Sequence, residues 1–159
     1  QRWYMGLFQI SNEPGFLTPT LYNYVGRPDK TAEVVRKTLK ERYNTTKEGI
    51  PGNDDSGSMS SWYVFHALGF YPNTGQDLYL ISSPTFEEAV IHLENGRDLS
   101  IKAKKASDKN IYVQSVKLNG EPFDACSFKH TDIANGGTLE FVMGSKPSKW
   151  GTVGVENQL

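Results

Sequence analysis

The sequence predicts an α+β fold, with a helical stretch over residues 1–75 followed by an antiparallel β stretch over residues 76–159. Three observations predict it. Apolar residues recur at helical spacing within residues 27–44, residues 58–72 are apolar on nearly every side, and the periodicity drops to two beyond residue 75.

In "RPDKTAEVVRKTLKERYN", Ala32, Val35, Leu39 and Tyr43 fall at i, i+3, i+7 and i+11, one stripe with charged residues on the other faces. Pro28 suits the first turn of that helix. The next helix, "SMSSWYVFHALGFYP", carries Met59, Trp62, Tyr63, Val64, Phe65, Ala67, Leu68 and Phe70. A helix this apolar is expected to be buried on most sides, inside a larger helical assembly, and Pro72 is expected to stop it. After it come "DLYLI", "AVIHL", "LSIKAKK", "IYVQSVKL" and "LEFVM", short β-branched or aromatic runs. Asn95-Gly96, Asn119-Gly120 and Asn135-Gly136 separate some of them, and both residue types tolerate the positive φ of hairpin turns.

With 159 residues, a free chain could bury roughly 70% of its unfolded surface. The 17 basic and 18 acidic residues are well mixed and leave a net charge of -1, which disfavours nucleic-acid or anionic-membrane partners. No apolar run approaches the ~18 residues of a membrane span. The single Cys126 makes no internal disulfide, and Asn44-Thr45-Thr46 fits the N-glycosylation pattern. The opening "QRWYMGLFQI" has neither an initiator Met nor a signal pattern, and is expected to be an excerpt of a longer chain.

Two stretches could carry chemistry. "GIPGNDDSGSMSSWYVF" sets Asp54 and Asp55 in a glycine-flanked turn before the apolar helix. Capping is one reading, since Asp55, Ser56 and Ser58 are all good N-caps. The other is a functional carboxylate: two acids exceed what a cap needs, and Gly52 and Gly57 allow close approach of backbone. A helix N-terminus favours negative charge, which suits a general base or cation ligand better than a general acid. An EF-hand is excluded, because counting from Asn53 puts Gly57 at position 5 and Val64 at position 12. In "QISNEPGFLTPTLYNYVG", Asn12 and Glu13 among aromatic residues suit a sugar site, or form an ordinary loop. His66, His92 and His130 lack zinc spacing, and His66 is read as a hydrogen-bonded core histidine. Neither GxSxG, a P-loop nor GxGxxG occurs.

Taken together, "SNEPGFLTPTLYNYVGRPDKTAEVVR", "GIPGNDDSGSMSSWYVFHALGFYP", "YLISSPTF", "IYVQSVKLNG" and "HTDIANGGTLEFVMGSKPSKWG" resemble, in order and spacing, the family 92 glycoside hydrolases. These are calcium-dependent exo-α-mannosidases, and the resemblance covers nearly the whole chain. It implies that residues 1–75 are the C-terminal helices of a catalytic (α/α)6 barrel and that residues 76–159 are a β segment closing the catalytic domain. It further implies inverting hydrolysis of terminal α-mannose from N-glycans or mannan, with base and acid carboxyls roughly 6.5–9.5 Å apart. The base maps onto Asp55, with Asn53 and Asp54 beside it, and Asn12 and Glu13 are candidate sugar contacts. Calcium is the implied cofactor, its ligands unassigned, and the implied location is secreted or periplasmic. The acid lies outside this chain, so the chain alone is expected to be inert.

Three positions depart from the pattern. Gly15-Phe16-Leu17 stands where members often have a His, Ser11 where they often have Gly, and Asn53 where some have Asp. The departure at residues 15–17 suits an alternative, a non-catalytic carbohydrate-binding or structural piece.

Overall fold

The computed structural model describes Phe8 and residues 10–154. Most of the aromatic-rich opening stretch therefore lies outside the described residues. Short 3-10 segments at Glu13–Gly15 and Thr18–Val25 lead into helix α1, Pro28–Arg42. A 3-10 turn at Asp55–Gly57 then opens helix α2, Ser58–Leu68. Eight strands follow: β1 Phe70–Pro72, β2 Tyr79–Ile81, β3 Glu88–His92, β4 Asp98–Lys104, β5 Tyr112–Leu118, β6 Glu121–Pro122, β7 Ser127–Phe128 and β8 Gly137–Gly144.

The α1 stripe behaves as its spacing indicates. Ala32, Val35 and Leu39 are buried, and Tyr43 follows as the extended C-cap residue. Arg36, on the same helix, is buried as well. Its guanidinium donates to the carbonyls of Pro84 at 2.6 Å and Ser107 at 2.9 Å, fastening the helix to loops of the β region.

Helix α2 ends earlier than Pro72 predicts. Gly69, at φ +101°, takes the left-handed C-cap position and its N–H reaches the carbonyls of Phe65 and His66. Phe70–Pro72 is already strand β1, with Pro72 in its last position. Nor is α2 buried on most sides: Met59, Trp62, His66 and Ala67 are covered, while Val64 on the other flank is 52% exposed.

The β region is mixed rather than antiparallel. A three-stranded antiparallel sheet runs β1-β2-β7, and a five-stranded sheet runs β3-β4-β8-β5-β6. Within the second, β8 pairs with β4 in parallel, from Leu99 opposite Gly137 to Lys104 opposite Val142. Alternating polarity tells which residues face the core but not which way a neighbour runs, and a parallel pair needs a long crossover. Residues 105–136 supply that crossover, carrying β5, β6 and β7. Asn95-Gly96 and Asn119-Gly120 do turn hairpins, β3 to β4 and β5 to β6. Asn135-Gly136 instead feeds β8 from the 3-10 turn at His130–Asp132.

Two apolar clusters result. One fills the β region with Phe70, Leu80, Ile81, Leu99, Leu139 and Phe141, and the other joins Ile10, Phe16, Val35, Met59, Trp62 and Tyr71 around the helices. Leu17 and Phe65 touch both. Asn23 is locked between them, donating to the carbonyls of Ile81 and Cys126 and accepting from Thr31.

His66 is the buried, hydrogen-bonded histidine that the sequence indicates. Its ring stacks on Tyr71 with centroids 4.7 Å apart, and Nδ1 lies 3.2 Å from Ser82 Oγ. Burial pushes its pKa from 6.5 down to about 3. The unfolded chain therefore takes up the proton first, so stability is full above about pH 6.5 and falls as the pH drops towards 3. The slope in that window approaches ~1.4 kcal/mol per pH unit. Urea unfolding at a series of pH values should reveal it, and His66→Gln should flatten it. A His66→Gln profile as steep as the wild type would assign the acid sensitivity to other groups.

Candidate functional site

The turn ahead of α2 is held from both sides. Behind it, the Asn44 carboxamide accepts the Thr46 N–H at 2.9 Å, closing the loop that follows α1. In front, Gly52 lies directly on Ser11, so that a Cβ at residue 52 would collide with the Ser11 carbonyl oxygen. The glycine is thus used for close backbone approach, and it joins the two stretches singled out from the sequence.

The two adjacent carboxylates divide their work. Asp54 accepts the Ser60 N–H at 2.8 Å through one oxygen and the Ser60 hydroxyl at 2.7 Å through the other. These bonds hold its pKa below the usual carboxylate value. Asp54, and not Asp55, Ser56 or Ser58, is therefore the residue that caps α2. Its partner is six residues on because the 3-10 turn intervenes, with Ser56 at φ +53° and Gly57 at φ +81°. Asp55 is exposed; its carbonyl accepts the Ser58 N–H, but among the described residues its carboxylate makes no hydrogen bond or ion pair, and Asn53 beside it is exposed too. Replacing Asp54 with alanine is expected to lower the melting temperature, while Asp54→Asn, which keeps one acceptor for the Ser60 N–H, should lower it less. Equal melting temperatures for wild type and Asp54→Ala, measured by scanning calorimetry, would remove the capping role.

Asn12 and Glu13 meet this turn through space. The Asn12 side chain accepts the Glu13 N–H at 3.0 Å and fixes the start of the 3-10 segment. Ser58, the first residue of α2, donates its hydroxyl to Glu13 Oε1 at 3.1 Å. One helical turn on, the indole N–H of buried Trp62 donates to the Phe16 carbonyl at 3.0 Å. A groove of about 520 Å³ opens beside these contacts, walled by Glu13, Ser58, Ser61, Phe65, Tyr71 and Asn73. Asp55 is not part of its wall but lies three residues before Ser58. Across α2, a second groove of about 500 Å³ is lined by Tyr43, Asn44, Ile50, Ser60, Tyr63 and Val64.

Sequence reasoning offered Ser58 only as an N-cap and did not single out Ser60. Their partners, Glu13 and Asp54, lie 45 and six residues away, and neither separation is a local motif. Phe16, by contrast, is 7% exposed and belongs to the core. It lies in the Gly15-Phe16-Leu17 stretch that departs from the family pattern, and is here a packing residue.

Calcium favours six to eight oxygen ligands. Among the described residues, no three His, Cys, Asp or Glu side chains come together to hold a metal ion. The residues present do not by themselves fit a calcium shell.

A groove walled by hydroxyl, carboxamide, carboxylate and aromatic groups is a lining suited to a polyhydroxylated ligand. Comparison with known proteins narrows this class. The chain belongs to glycosyl hydrolase family 92, whose catalytic-domain profile matches residues 1–145. A protein described as an uncharacterized secreted glycosidase from Arthroderma benhamiae is 40% identical over 149 residues, 92% of this chain and 19% of that protein. A family GH92 α-mannosidase from Bacteroides thetaiotaomicron, solved with mannoimidazole, superposes with a TM-score of 0.84 at 36% identity, covering 87% of this chain and 18% of that one. An inverting family GH92 mannosidase from the same bacterium gives 0.85 at 35% identity, covering 93% and 20%. The chain thus spans about a fifth of the length of these relatives.

Proposed function

We propose that this chain forms the base side of the catalytic centre of an exo-α-mannosidase that releases terminal α-linked mannose from mannose-rich glycans with inversion. The observation that carries the reading is the division of labour between Asp54, bound to Ser60 through both oxygens, and Asp55, which is left unengaged. In an inverting reaction a carboxylate takes a proton from water as that water attacks the anomeric carbon, while a separate carboxylic acid protonates the leaving oxygen. Asp55 takes the first role, with Asn53 beside it, and the acid comes from elsewhere in the complete polypeptide. Asn12 and Glu13 hold hydroxyls of the sugar. Residues 1–75 belong to a catalytic (α/α)6 barrel, whose neighbouring helices cover the exposed Val64 flank of α2, and residues 76–159 close the domain. A calcium ion in the complete enzyme would draw most of its ligands from outside the described residues, and no step here is routed through it. Export, as in the fungal relative described as secreted, fits such a substrate. No helix among the described residues is long and apolar enough to cross a membrane.

The burial of Phe16 favours a second reading, a protein that binds mannose-rich glycans without cleaving them. One assay separates the two. The complete protein, with and without chelator, is incubated with the α-linked mannobioses, and the anomer released is followed by proton NMR. Release of β-mannose supports the hydrolase. A folded protein that releases none from any linkage leaves only the binding role.

A further inference from the structure

We infer that Ser58 is a positioning residue for sugar recognition, its hydroxyl orienting the Glu13 carboxylate so that the free oxygen accepts a hydroxyl of the hexose in the adjoining groove. The inference rests on the mannosidase reading above and extends it to a residue outside the acidic motif.

Three observations lead there. Ser58 Oγ donates to Glu13 Oε1 at 3.1 Å, and this is the only side-chain hydrogen bond Glu13 makes among the described residues. The other oxygen is left for a ligand, and both residues wall the same groove. Glu13 is otherwise anchored only through its backbone: its N–H is received by Asn12 Oδ1 and its carbonyl receives the Phe16 N–H. A glutamate side chain has three rotatable bonds, and without Ser58 nothing described here fixes it. A hydrogen bond to an ionised acceptor is among the stronger ones, so one hydroxyl suffices to select a rotamer. Ser58 is also the first residue of α2. The contact therefore ties the loop carrying Glu13 to the first residue of α2.

The test uses the complete enzyme. Ser58→Ala should raise KM, and the dissociation constant for mannoimidazole measured by calorimetry, by about tenfold, with kcat within about twofold of wild type. The shape-matched pair Ser58→Thr and Ser58→Val differs only in the hydroxyl, so Thr should restore both constants and Val should not. Adding Ser58→Ala to Glu13→Ala should raise KM little beyond Glu13→Ala alone, because the carboxylate that Ser58 orients is already gone. Wild-type constants in Ser58→Ala, or Thr and Val variants that behave alike, would overturn the inference and leave the mannosidase reading standing. A folded wild type that neither cleaves mannobiosides nor binds mannoimidazole would overturn both.

Discussion

Replacing Asp55 with asparagine in the complete enzyme is expected to lower kcat on α-mannobioses by about 10²–10⁴-fold, the range a general base contributes. The substitution keeps shape and volume and removes only the charge. The Asp55 carboxylate makes no hydrogen bond among the described residues, and the backbone bond from the Ser58 N–H to the Asp55 carbonyl survives the change, so the substitution disturbs nothing that holds the turn. Melting temperature should stay at the wild-type value while turnover collapses. Asp54→Asn should do the reverse. It weakens the grip on the Ser60 hydroxyl and amide, lowers the melting temperature, and affects turnover only through the placement of its neighbour. A complete enzyme whose Asp55→Asn form keeps more than about a tenth of its turnover would move the base to another residue.

The largest effect on stability is expected at Trp62. Its side chain is fully buried, its ring stacks parallel to Tyr43 with centroids 5.9 Å apart, and it abuts His66 at 4.2 Å. Truncation to alanine should cost about 3–5 kcal/mol in chemical denaturation, from lost transfer energy and the cavity left behind. Against the ~5–15 kcal/mol that holds a typical domain together, that is a large share. Trp62→Phe retains most of the ring packing but leaves the Phe16 carbonyl without its donor, at a cost of about 1–3 kcal/mol. Because that carbonyl sits three residues beyond Glu13, the phenylalanine variant should also raise KM. A loss below about 1 kcal/mol for Trp62→Ala would contradict the packed environment described here.

Much of the chain was legible as sequence. The stripe from Ala32 to Leu39 needed only the 3.6-residue period, and two of the three Asn-Gly pairs turn the hairpins that their conformational freedom allows. The motifs around Asn12 and Asp55 drew attention because polar groups stood next to aromatic ones. What stayed hidden depends on contacts between distant segments. The direction of β8 beside β4 is set by the path of thirty-odd intervening residues, not by alternation within either strand. The choice of Asp54 over Asp55 as cap depends on Ser56 adopting a left-handed conformation, which its identity does not announce. Gly69, not Pro72, ended α2, because a left-handed cap three residues before the proline had already satisfied the final carbonyls.

The central position of β8 bears on how the molecule assembles. It is the last strand among the described residues, yet it lies between β4 and β5, and its Leu139, Phe141 and Met143 are buried. Until residues 137–144 have left the ribosome, β4 and β5 each lack the neighbour that joins them, and the apolar faces they share with Leu139 and Phe141 stay wet. The five-stranded sheet is therefore completed after nearly all of this stretch has been translated, by insertion of a late strand between two waiting ones. Such non-local closure slows folding and leaves strand edges open to pairing with other nascent chains in the meantime.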